Sequence, residues 1–258
     1  MKGWREGIAR AACALALVAC ASCGGGDDDN DRGDIEVDWD DAPDPISDEL
    51  SSVMRREKLF EKIAEVLNGS LAFPRDLLVK HEACDEVNAF YDPRTHSLSM
   101  CYEMLTFIAD RAIQAMGEGD ETGERIVGTW LFVFFHELGH GLADFYDLPI
   151  TGREEDSVDS FSTLLLIEAD MAFAALRAAE FWASLPMGEL DGAAFADEHS
   201  LNAQRFYNIL CLVYGSDPDT YEGLVTEGYL PESRAVRCPA EYEGQRSAWD
   251  TLLEPWSK

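Results

Sequence analysis

The sequence predicts one predominantly α-helical α+β domain with a small antiparallel sheet. Three observations carry that prediction. Apolar residues recur at helical spacing along most of the chain beyond residue 45, a block of β-type segments broken by a turn lies between residues 76 and 101, and four cysteines follow residue 80. At 258 residues the chain is long enough to bury a substantial core.

The first helix is expected over "ISDELSSVMRREKLFEKIAEVLNG", where Leu50, Val53, Met54, Phe60, Ile63, Ala64 and Leu67 fall near helical period and Gly69 closes the run. "DLLVKHEAC" and the following "ACDEVNAFYDPRTHSLSMCYE" then suggest two or three antiparallel strands, with the turn at "DPRT". His81 and His96 flank this hairpin and are expected to be exposed. "YEMLTFIADRAIQAM" reads as a second helix and "ERIVGTWLFVFFHELGHGLADFY" as a third. A fourth, with a break, runs from about Glu154 to Ser184. "SLNAQRFYNILCLVY" supplies a fifth, and a short one closes the chain near "RSAWDTLLEPW".

The N-terminus reads as an address. A basic start (Lys2, Arg5, Arg10) leads into an Ala/Leu-rich run, from Ile8 to Ala19, that is too short for a permanent membrane span. "LVAC" then places Cys20 where a bacterial lipoprotein carries its lipid; cleavage after Ala21 by the general signal peptidase and an uncleaved anchor are the alternatives. Residues 1–19 are therefore expected as a lipoprotein signal and 20–49 as a lipidated cysteine on an acidic tether. Residues 50–258 are expected to form the folded domain. Between residues 24 and 49 there are 12 acidic residues and one Arg, so the tether should be disordered and reach roughly 30 Å as a flexible coil. Localisation to the bacterial cell envelope follows, with membrane contact only through the anchor.

Fifty acidic against 20 basic residues give a net charge of −30, which disfavours nucleic acid and anionic lipid as partners. Acylation of Cys20 removes the Cys20–Cys23 pair from redox chemistry. Cys84, Cys101, Cys211 and Cys238 remain, and in an exported domain they suggest two disulfides with three possible connectivities. The local pairing, Cys84–Cys101 and Cys211–Cys238, is preferred because the first bridge clamps the hairpin.

The chemistry-bearing residues lie on the third helix. Trp130 to Phe135 are apolar on every side, so the helix should be buried all round, yet His136, Glu137 and His140 follow directly. At 3.6 residues per turn, His136 and His140 share a face and can grip one metal ion. Glu137 lies about 100° around the helix, close enough to take a proton from an activated water. Two buried imidazoles and a carboxylate without partners lose several kcal/mol of solvation, about 2–7 per group, which a metal offsets and apolar packing does not.

A catalytic zinc takes three protein ligands and keeps one open position. A third histidine six residues after His140 is excluded, because position 146 is Tyr. The other common solution is a Glu on the next helix with an Asp four residues later, and "GREEDSVDSF" supplies Glu155 and Asp159. Glu154 and Asp156 compete with Glu155 but lack the Asp at i+4.

The arrangement resembles the Glu-zincin class of metallopeptidases, of which thermolysin is the best-known type. More closely, "HELGHGLADFYDLPITGREEDSVDSFS" is similar to an uncharacterised bacterial family known only by the description of metallopeptidase, over most of the chain from about residue 55. The resemblance implies a zincin-like fold, Zn2+ held by His136, His140 and Glu155, Glu137 as general base, and Asp159 orienting His136. It also implies a later His or Tyr that steadies the oxyanion. "DEHSLNAQRFYN" offers His199, Arg205 and Tyr207, of which the resemblance favours His199. "SLSMCYE" is placed to act as an edge strand for an extended substrate. The expected protein is a monomeric, lipid-anchored zinc peptidase acting on a peptide or protein. Two alternatives stay open: a non-catalytic envelope lipoprotein with a structural metal site, and a zinc amidase acting on non-protein envelope amides.

Overall fold

The computed structural model describes residues 30–185 and 199–258. The proposed signal, Cys20 and the first part of the tether lie outside the described residues. Strand β1 (Ile35–Trp39) is followed by a helical hairpin, α1 (Pro45–Glu57) and α2 (Leu59–Ser70), and then by β2 (Leu77–Glu82), β3 (Ala89–Asp92) and β4 (Ser97–Cys101). Helices α3 (Tyr102–Met116), α4 (Asp120–Phe145), α5 (Glu154–Glu168), α6 (Ala172–Ser184) and α7 (Asn202–Ser216) build the rest of the core. Two four-residue helices, α8 (Gly223–Thr226) and α9 (Glu232–Ala235), lead to α10 (Cys238–Leu253) and a closing 3-10 turn. The architecture is α+β, as the apolar periodicities predict.

The sheet differs from expectation in two ways. Its order is β1-β2-β4-β3, and β1 and β4 both run parallel to β2; only the β3–β4 hairpin is antiparallel. β4 is thus an interior strand buried at every position, and the edge beside α4 is β3 rather than "SLSMC". The helical hairpin supplies the long connection that a parallel β1–β2 pair requires.

Order also begins earlier than residue 50. Ile35, Val37 and Trp39 alternate with acidic residues, and this period-2 pattern makes β1 although the surrounding composition is that of a tether. Asp44 caps α1, accepting from the backbone N–H of Ile46 at 2.9 Å and of Ser47 at 3.1 Å, with Pro45 at the first helical position. The expected first helix is split at Lys58, which adopts a left-handed φ of 54°. A similar residue, Asp170 with φ 57°, makes the break between α5 and α6. The last helix starts at Cys238, well before residue 246.

α4 is the central element, touching β3, β4, α3, α5 and α6. It has the length and apolarity of a membrane-crossing helix, but 89% of that window is buried inside the fold. Both disulfides have the local connectivity, Cys84–Cys101 and Cys211–Cys238. Each closes a loop of a length for which restriction of the unfolded chain is worth about 3 kcal/mol.

His81 is 1% exposed, contrary to expectation, because the alternation of β2 turns Leu77, Val79 and His81 inward together. Its ring stacks on Trp39 at 3.7 Å and lies 4.6 Å from Phe60, and neither ring nitrogen has a hydrogen-bond partner. Burial pulls the imidazole down to about 3. The folded state therefore holds His81 neutral while the unfolded chain takes up a proton below about 6.5. This contribution to stability is complete above that pH and is lost as pH falls toward 3. We expect the His81→Phe variant to lose about 1.4 kcal/mol less stability than wild type per pH unit below 6, measured by urea unfolding across pH 4.5–7.

Candidate metal centre

The site is made where α5 closes onto α4. Gly139, between the two histidines, allows that approach: a Cβ there would lie 2.9 Å from both Cβ and Cγ1 of Val158. Gly128 does the same against Ala174 of α6, with a separation of 2.9 Å. With the helices this close, the carboxylates on the first turns of α5 reach the imidazoles of α4.

Glu155 meets both rings. Its Oε2 lies 3.1 Å from His136 Nε2 and its Oε1 lies 3.3 Å from His140 Nε2. One potential ligand atom from each of the three residues falls within 4.8 Å of the others. The opposite ring nitrogens are held as well, His136 Nδ1 by Asp159 at 2.8 Å and His140 Nδ1 by Glu154 at 2.7 Å. A carboxylate on each Nδ1 accepts the proton there, which leaves Nε2 of both rings, once it gives up its own proton, as the atom that faces a cation beside Glu155. Two imidazoles and one carboxylate, converging and already oriented from behind, are a donor set that fits a divalent cation.

The electrostatics agree with that fit. Burial pulls His136 down, but its hydrogen bonds to Asp159 and Glu155 outweigh this and bring it to about 9. His140 is also raised, with burial opposed by Glu155 and Glu154. Burial pushes Glu155 up, yet hydrogen bonds from the three histidines hold it far below the usual carboxylate range. Protons on the imidazoles thus supply positive charge that a bound cation can replace.

Glu137 is 8% exposed, and burial raises its carboxyl above the ordinary value. Its Oε2 accepts the Tyr91 backbone N–H at 3.1 Å, which ties the head of the side chain to β3. His199 reaches the cluster: its Nε2 lies 3.0 Å from Glu155 Oε2, and its ring stacks with His136 at 6.2 Å. These groups line a cleft of about 580 Å3 whose other wall is the β3 edge, Asn88 to Tyr91, with Asp144, Asp147 and Leu148 at its rim.

The competitors separate cleanly. Glu154 backs His140, while Asp156 accepts from Ser200 Oγ at 2.6 Å. Tyr207 is exposed and does not line the cleft. Arg205 does something the sequence reading missed: its Nε and Nη2 donate to Asp159 Oδ2 and Oδ1, each at 2.7 Å, and its guanidinium lies 3.8 Å from the Trp182 ring centroid. The available signal was its spacing to Ile209 and Leu212, which puts an arginine on the apolar face of α7. Burial pushes Asp159 up, but Arg205 and His136 hold it at about 2.

This ion pair is buried on both sides, so its loss should be costly. Arg205→Leu leaves Asp159 without its strongest counter-charge, and we expect about 3–5 kcal/mol of destabilisation at pH 7 by chemical denaturation. A change under 1 kcal/mol would show that Asp159 is not held by Arg205.

The chain matches the family described as "Putative metallopeptidase" over residues 39–253, a span that contains the histidines, Glu155, Asp159 and both disulfides. No curated protein and no solved structure matches it.

Proposed function

Because the chain belongs to this metallopeptidase family, we propose that it is a zinc-dependent peptidase of the Glu-zincin class, with His136, His140 and Glu155 holding the metal. One observation carries the reading: two imidazoles, each backed by a carboxylate, converge on a third carboxylate beside a buried glutamate in an open cleft. Zinc suits two nitrogen donors and one oxygen donor with a position left for the reaction.

The bound metal supplies a Lewis acid that activates water and polarises the scissile carbonyl. Glu137 acts as general base through Oε1, since Oε2 is engaged by Tyr91. A carboxyl raised by burial takes a proton more readily than an exposed one, and can return it to the leaving amine. His199 approaches the same Oε2 of Glu155 as His136 and lines the cleft, where a protonated imidazole can steady the developing oxyanion. The extended substrate adds to the edge strand β3, which forms one wall of the cleft. The two disulfides are compatible with an exported protein. In this reading Cys20 carries the lipid anchor in the cell envelope.

A closed structural metal site is the second reading, favoured by the closeness of His199 to Glu155. It assigns Glu137 no chemical task. In a zinc-loaded sample, Glu137→Gln should keep about one metal per chain, by metal analysis, and lose peptide hydrolysis by about 10²–10⁴-fold. Hydrolysis that survives the substitution would remove Glu137 as the base.

A further inference from the structure

The backbone that holds Glu137 belongs to the outermost strand of the sheet. β3 is four residues long and its ladder partner is β4. A short strand paired along one edge opens at low cost, yet the Tyr91 N–H must stay 3.1 Å from Glu137 Oε2. Something else has to hold β3 against α4.

The tie comes from the same residue. The Tyr91 phenol donates to Asp144 Oδ2 at 2.7 Å. Glu137 and Asp144 are seven residues apart on α4, which puts them two turns apart on one face. Tyr91 therefore grips the helix twice, with its main chain at one point and its side chain at the other. Gly141 lies between them on that face, and the ring crosses the helix there: Tyr91 Cδ2 and Cε2 lie 3.5 Å from the place a Cβ would take. The two glycines of "HELGHG" thus serve opposite faces, Gly139 turned to α5 and Gly141 to Tyr91.

The phenol is oriented from behind. Arg75 Nη1 donates to His96 Nε2 at 2.8 Å, and a guanidinium only donates, so the ring proton of His96 sits on Nδ1. That nitrogen lies 3.1 Å from the Tyr91 oxygen, which accepts from it and keeps its own proton for Asp144. Arg75, His96, Tyr91 and Asp144 form a chain in which each group donates to the next. Burial and the bond to Asp144 push the phenol above its ordinary range, so it stays a donor at neutral pH.

We propose that the Tyr91 side chain is a positioning residue for the general base: its grip on Asp144 locks β3 onto α4, which keeps the Tyr91 N–H on Glu137 Oε2 and leaves Oε1 free for the reaction. The phenol touches no reacting atom in this role. The proposal rests on the peptidase reading.

The test is steady-state kinetics of the zinc-loaded full chain on the best substrate from a mixture of end-blocked peptides, with zinc content and urea unfolding measured for every variant. A misplacement of about 1 Å costs up to about 10²-fold, and Tyr91→Phe cuts one of two ties while keeping the ring. We expect Tyr91→Phe and Asp144→Ala each to lower kcat about tenfold, with KM within about twofold and about one zinc retained. The double variant should lose no more than either single one, because both cut the same bond. Asp144→Asn keeps an acceptor oxygen and should recover most of the loss.

A tie that serves stability alone lowers the urea midpoint and leaves kcat unchanged, and that result overturns the inference. A rise in KM at constant kcat, which makes Tyr91 a substrate contact, overturns it too, as do losses that add in the double variant. In each of these cases the wild-type chain still cleaves peptides and the peptidase reading stands. If Tyr91→Phe does not fold, the variants at the exposed Asp144 decide between the same outcomes. Zinc-loaded wild type that cleaves no peptide overturns the peptidase reading, and the inference with it.

Discussion

Two imidazoles and the carboxylates of Glu137, Glu155 and Asp159 share the buried seam between α4 and α5, and each of them loses hydration there. The chain can place them so because Asp159, Glu154 and Arg205 pair the others from behind, while Glu155 Oε2 is buried with no well-aligned hydrogen bond and is left for a cation. Glu155 faces both Nε2 atoms, Asp159 backs His136, and Arg205 balances Asp159. Removing any one member leaves a desolvated charge behind, so the seam acts as a unit.

The rest of the fold holds that seam together. Gly139 sets the distance between α4 and α5. The Cys211–Cys238 bridge joins α7 to the start of α10, and α7 carries the arginine that anchors Asp159. On the opposite wall, Cys84–Cys101 ties the loop before β3 to the end of β4. Glu103 reinforces the tie by accepting the backbone N–H groups of Cys84 at 3.0 Å and Asp85 at 2.8 Å. The strand so fixed presents the Tyr91 N–H to Glu137. Both bridges therefore act on the geometry of the cleft as well as on stability.

Much of this arrangement was legible in the sequence where a single helix sets the spacing. His136 and His140 must share a face of α4, and Glu155 and Asp159 must share one of α5. That the run from Glu154 to Ser184 breaks, though not that it breaks at Asp170, and that the disulfides are local were readable for similar reasons of short range. What escaped depended on contacts between distant segments. β1 hides in an acidic stretch because five alternating residues weigh little against the composition around them. The parallel pairing of β2 with β1 and β4 is a matter of topology, which strand pattern alone does not encode. Arg205 was visible as an arginine on an apolar helix face, but its partner Asp159 is 46 residues away. The burial of His81 needed the register of β2, which decides which alternate residues face inward.

The central claim is that the α4–α5 seam holds a metal with three protein ligands and one position left open. A crystal structure of the zinc-loaded protein, with anomalous scattering to identify the ion, tests it most directly. The account predicts zinc bound by Nε2 of His136, Nε2 of His140 and a carboxylate oxygen of Glu155, with water at the remaining position and His199 outside bonding distance. Zinc closed by His199 as a fourth protein ligand, or zinc at another place on the chain, would contradict it.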